Sequence, residues 1–177
     1  MTTDHATFRR VFKAAGVLGI ADRVLIAGGA VVDIKTATDI DVFVLEDFHS
    51  GGHDSALLLR HLDSDWVVDR DPIEYLAADD RQVKDHACCS IGTAHPSARG
   101  KPIHVVASES RDWQGVLNSF DLSICRWGVH HDGLLLRGIG ATTRTQPIRV
   151  LRMTYTTPER AVKYQQRFKV PCLPIST

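Results

Sequence analysis

Two aspartates inside an apolar run constrain this chain more than any other feature. Residues 24–47 read VLIAGGAVVDIKTATDIDVFVLED. An apolar segment, 24–27, leads into Gly28-Gly29. Ten residues on, Asp39 and Asp41 interrupt a second run rich in Val, Ile and Phe, whose composition predicts a strand over 39–45. Side chains alternate across a strand, so Asp39 and Asp41 share a face with Phe43, while Ile40, Val42 and Val44 face a core on the other side. Two carboxylates a few ångströms apart repel and raise one another's pKa. A divalent cation removes that cost, and hard oxygen donors with room for water and phosphate suit Mg2+ (or Mn2+). Gly28-Gly29 supplies a backbone that a ligand can approach closely. If a helix opens just after it, its free N–H groups attract phosphate. Either element alone also fits a blander reading, a simple turn or a turn cap with an exposed edge residue. Their spacing and shared apolar frame point to a phosphate cradle facing a metal site.

The chain has 177 residues, enough for one domain with its own core. Its formal net charge is +0, so the basic field of a nonspecific nucleic-acid binder is absent and any phosphate recognition is local. No apolar stretch approaches the roughly 20 residues needed to cross a bilayer, and the polar N-terminus lacks the apolar centre of a signal peptide. Cys88 and Cys89 are adjacent, an awkward disulfide pair, and no two-residue spacing among the cysteines suggests a zinc knuckle. Free thiols in a cytoplasmic setting are expected.

Phe8, Val11, Phe12 and Ala15 recur at helical intervals, predicting an amphipathic helix over 6–18. Residues 24–27 read as a short strand and 30–36 as the first turns of a helix. Residues 49–55 read as a loop, 55–62 and 73–86 as helices, 87–92 as a short strand and 93–102 as a loop. Residues 103–107 form a strand, 112–120 a helix and 122–129 a strand. His130-His131-Asp132-Gly133 is a hairpin turn with Asp-Gly as its signal, and 134–137 is the returning strand. Thr157 can cap a helix that Pro158 opens, running to about Phe168. The expected fold is α+β: a single domain, 1–177, with a mixed sheet flanked by helices.

GGAVVD (28–33) followed by DIDVFV (39–44) resembles the signature of the DNA polymerase beta-like nucleotidyltransferase superfamily. GG-x-V-x-D also resembles the opening of the tRNA nucleotidyltransferases, with Val32 where they usually carry arginine. FDLSIC (120–125) and RAVKYQQRF (160–168) look more like small, stand-alone members from phages and large viruses. The resemblance implies a reaction in which a nucleoside triphosphate binds with Mg2+. A nucleoside monophosphate then passes to an acceptor hydroxyl, on an RNA end, a protein or a small molecule, and pyrophosphate leaves. It implies that Asp39 and Asp41 hold the metal, and that Gly28 and Gly29 hold triphosphate oxygens through the backbone.

The family usually places a third carboxylate on a neighbouring strand, where it helps activate the acceptor. The natural strand here, 101–108, offers His104 instead. His104 could be the base, Asp121 could supply the acid from the next strand, or the third group is gone. In the last case the protein is catalytically degenerate and acts by binding a host protein or RNA. Asp121 is taken as the third catalytic carboxylate. Arg160, Lys163, Tyr164 and Arg167 share one helical face. Of these, Arg160, Lys163 and Tyr164 are taken as nucleotide-binding and Ala161, Val162 and Phe168 as core contacts; a solvated basic face is the bland reading. Lys35, just after the Gly-Gly turn, could reach phosphate or be plain surface. The nine histidines, His130-His131 among them, form no ligand set of recognisable spacing. Ser108 and Ser110 lack a partnered His and Asp, so a serine hydrolase is not supported.

Overall fold

Phe8, Val11, Ala14 and Ala15 recur on one face, and helix α1 (Ala6–Val17) forms with all four buried. Its start is capped by His5, whose Nδ1 accepts the Thr7 amide at 3.2 Å. The structure, a computed structural model, describes residues 5–46, 53–62, 66–70, 88–96, 101–108, 110, 112–151 and 157–173. The expected helix over 73–86 lies outside them.

The apolar runs become strands of one mixed sheet. These are β1 (Val24–Ala27), β2 (Ile40–Leu45), β3 (Trp66–Arg70), β4 (Cys88–Pro96), β5 (Ile103–Ser108), β6 (Trp127–His130) and β7 (Leu135–Arg137). Their order is β3-β4-β5-β2-β1-β6-β7. β2 and β5 pair in parallel and every other pair is antiparallel. A short parallel pair, β8 (Ile148–Arg149) and β9 (Cys172–Leu173), stands apart. Helices α2 (Gly29–Val32), α3 (His53–His61), α4 (Trp113–Ser119) and α5 (Pro158–Phe168) complete the α+β fold. Among the described residues no helix is long and apolar enough to cross a membrane.

Alternation along the strands divides the core in two. Val24, Ile26, Ile40, Val42 and Val44 join the larger cluster with α1, α3 and Tyr164 of α5. Leu25, Ala27 and Phe43 join a smaller one under α4. Phe43 therefore lies on the aspartates' side of β2, as the period of two requires.

Several elements differ from expectation, among them a strand, β3, in the acidic, turn-rich stretch 63–72. The loop expected over 93–102 begins only after Pro96, because β4 continues antiparallel to both β3 and β5, with Thr93 opposite His104. Pairing on both sides overrides its Thr, His and Pro content. The strand expected over 122–129 is divided: Leu122 bridges Val150, Ser123–Cys125 is a 3-10 turn, and pairing resumes at Trp127. The Ser123 hydroxyl drives this turn, meeting Thr142 Oγ1 at 2.7 Å and accepting the Arg149 amide at 2.8 Å. The helix expected over 30–36 is a single turn ending at Val32. The helix near 55–62 starts earlier, at His53, inside the segment read as a loop.

Candidate active site

The Gly-Gly turn and the aspartate strand meet in space. β1 and β2 pair with Ala27 opposite Asp41, which brings residue 28, just past the end of β1, beside the Asp41 side chain. Gly28 has φ 84° and ψ −158°, a region open essentially to glycine alone. A Cβ there would sit 2.9 Å from Asp41 Oδ2 and 3.5 Å from the Phe120 ring. The missing side chain is thus what leaves room for the carboxylate. The Gly28 amide is committed to Trp127 O at 3.0 Å, so it is not a phosphate donor, contrary to expectation; the amides that follow it are those of Gly29 and Ala30.

His104 stands on β5 directly opposite Asp41 in the parallel register. Its Nδ1 lies 3.6 Å from Asp41 Oδ1. The Asp41 carboxylate, with a contribution from Asp39, holds the imidazole pKa above its ordinary value although burial opposes the charge. The position where the family resemblance places a third acid is therefore filled by a group biased toward positive charge. Asp39 precedes β2 and is half-buried. The Asp41 side chain is 31% exposed and open to a ligand.

Asp121 is engaged elsewhere. Arg160 donates to it through Nε at 2.9 Å and Nη2 at 3.3 Å, and the Leu122 amide donates to Oδ1 at 3.0 Å. A fork of this kind satisfies both carboxylate oxygens. Among the described residues, Asp121 does not join Asp39 and Asp41 in a metal-sized group; the one such group is Asp22, His130 and His131, on a different part of the molecule.

The basic face of α5 turns inward. Tyr164 is its buried residue, with Arg160 at 5.3 Å and Arg167 at 5.7 Å from the ring centroid. Arg167 donates through Nη2 to the carbonyls of Gly29 and Asp33, both at 2.9 Å, and through Nε to Thr36 Oγ1 at 3.0 Å. It caps the single turn of α2 from outside and holds the Gly-Gly turn in place. Tyr164 hydrogen-bonds the buried Cys125 thiol. Burial pushes the tyrosine well above its ordinary pKa and the thiol up to about 12, which leaves Cys125 inert as a nucleophile. Val162, expected in the core, is exposed, while Phe168 packs partly against it. Lys163 and Lys35 are exposed. A contact the sequence did not suggest is Lys101, whose ammonium donates to the Ala37 carbonyl in the loop between the Gly-Gly turn and β2.

No described protein family and no curated protein matches the chain. Solved structures do. One is described as a tRNA-processing enzyme, apo form I, with TM-score 0.59 and 18% identity over 94% of this chain. Another is the complex of a CCA-adding enzyme with CTP, with TM-score 0.61 and 19% identity over 94% of this chain. This chain spans 43% and 38% of those chains, less than half of each. The likeness gives the fold, that of the nucleotidyltransferases.

Proposed function

We propose that this chain acts as a nucleotidyltransferase, of the kind found in phages and large viruses. It would move a nucleoside monophosphate from a nucleoside triphosphate to an acceptor hydroxyl on an RNA end, a protein or a small molecule. The observation that carries this reading is the contact between Gly28 and Asp41: a glycine-only backbone conformation keeps a partly exposed carboxylate uncovered beside the opening of α2. The donor set suits a hard cation, since Asp39 and Asp41 stand two residues apart at the start of the central strand β2. These two residues would hold Mg2+ or Mn2+, which when bound offsets triphosphate charge and polarises the phosphoryl oxygens. The Gly29 amide would meet a phosphate oxygen, with Arg167 fixing the turn from behind. Arg160 and Tyr164 would act in the same indirect way, by docking α5, while Lys163 and Lys35, both exposed, would be the cations offered to the triphosphate. The CTP bound to the CCA-adding enzyme supports a nucleotide as the ligand.

A second reading has its own support. With Asp121 tied to Arg160 and His104 standing opposite Asp41, no third carboxylate joins Asp39 and Asp41 among the described residues to take the acceptor's proton. The protein would then bind nucleotide, or a host protein or RNA, without transfer. On the leading reading Asp39 and Asp41 would hold an ion, so His104→Asp, which adds a carboxylate beside them, is expected to tighten Mn2+ binding about tenfold by calorimetry. Unchanged affinity would remove the ion from this face.

The experiment for the leading reading is calorimetric titration of the four ribonucleoside triphosphates with and without Mg2+, into the wild type and the Asp39→Ala/Asp41→Ala variant. Mg2+-dependent binding to the wild type, weakened at least about a hundredfold in the variant, a loss of about 2.7 kcal/mol, is expected. Absence of binding to every triphosphate would overturn it.

A further inference from the structure

The hairpin between β6 and β7 places His130 and His131 beside Asp22, which lies in the 3-10 turn (Ala21–Arg23) leading into β1. One ligand atom from each of the three falls within 4.8 Å of the others. His131 Nε2 meets Asp22 Oδ1 at 2.7 Å, and the two imidazole rings are 4.2 Å apart. His130 turns Nε2 toward Asp22, 3.5 Å from its backbone oxygen, and presents Nδ1 to Asp132 Oδ1 at 3.2 Å. Asp132 is itself fixed by the hairpin, accepting the Leu134 amide at 2.9 Å.

We propose that Asp22, His130 and His131 form a Zn2+ site, distinct from the Asp39/Asp41 face, that clips the β6–β7 hairpin to the entry of β1. Two imidazoles and one carboxylate are the donor types that Zn2+ takes, with bonds of about 2.0–2.2 Å and a fourth position open to water. Tetrahedral ligation at such bond lengths spaces ligand atoms about 3.4 Å apart. The Asp22–His131 pair needs only a small opening to reach this, and the Asp22 side chain, 90% exposed, is free to make it. The arrangement around His130 is independent support: a metal-bound histidine characteristically gives its other ring nitrogen to a carboxylate, which sets the tautomer and ring orientation. Asp132 occupies that place, held by the turn and not by the metal. The spacing of the ion-holding residues also has a structural sense. Leu25 of β1 pairs with His130 of β6, so the ion would close the end of this strand pair remote from Gly28.

The test is titration of Zn2+ alone into the full chain, followed by Co2+ as a spectroscopic substitute. Expected are one Zn2+ per chain, visible Co2+ bands of a four-coordinate site, and at least a tenfold loss of affinity in Asp22→Ala and in His131→Ala. The Asp39→Ala/Asp41→Ala variant should retain the site. At a hundredfold excess over Kd the midpoint of thermal unfolding should rise by about 5–10 °C in the wild type and not in His131→Ala. Both single changes fall on exposed or half-exposed side chains, so folding is not at stake. No binding, or binding that survives His131→Ala, would overturn the proposal and leave Asp22–His131 as a surface ion pair only.

Discussion

Arg160→Ala is expected to destabilise the protein by about 3 kcal/mol, the lower end of what stranding one member of a buried ion pair costs. That corresponds to a fall of roughly 6–12 °C in the unfolding midpoint for a chain of this size. The reason lies in the asymmetry of the pair. The Asp121 side chain is 5% exposed and Arg160 40% exposed. Removing the arginine leaves a charge inside the protein. Removing the aspartate leaves a guanidinium that can turn to water, so Asp121→Ala should cost markedly less, about 1 kcal/mol. Calorimetric melting of the two variants side by side checks this. Equal losses, or a shift of less than about 2 °C for Arg160→Ala, would show that the fork does not hold α5. The same comparison bears on function, because α5 also carries Arg167 to the Gly-Gly turn.

The second large effect belongs to Gly28. Gly28→Ala should lower the affinity for Mg2+–nucleoside triphosphate at least tenfold while costing about 1–3 kcal/mol in stability. Two causes combine: a backbone conformation that only glycine adopts, and a Cβ 2.9 Å from Asp41 Oδ2 that must push the carboxylate aside. Gly19→Ala separates them. Gly19 also has positive φ, 70°, but a Cβ there meets nothing within 4 Å. It should show the strain without the loss of ligand binding. If Gly28→Ala binds nucleotide as the wild type does, the turn is not part of the site.

What was legible in the sequence depended on whether the cause was local. β2 stands out because its period of two is carried by strong residues, and the alternation also gives the face on which Asp41 and Phe43 lie. The start of α5 is local too: Thr157 Oγ1 accepts the Arg160 amide at 3.2 Å and Pro158 opens the helix. The facing of α5 was not legible. A stripe of Arg160, Lys163, Tyr164 and Arg167 reads as a basic surface, and only Asp121 and the carbonyls of Gly29 and Asp33, supplied by distant segments, make most of it an inner face. Residues 122–129 misled for a different reason. A continuous apolar run does not distinguish a paired strand from buried irregular chain, and the turn at Ser123 is set by Thr142 and Arg149. The Asp22 cluster was hidden likewise: His131 meets a partner 109 positions away.

The arginine that steadies the Gly-Gly turn lies 138 positions after it in the chain. At synthesis rates of roughly 5–20 residues per second, the turn exists for on the order of ten seconds before Arg167 is made. The strands that frame Asp41 are complete well before that. A nascent chain can therefore assemble the sheet while its carboxylate face still lacks its final support, and α5 closes that interval as a late, long-range contact. The order of synthesis thus separates the moment the scaffold forms from the moment the site becomes rigid.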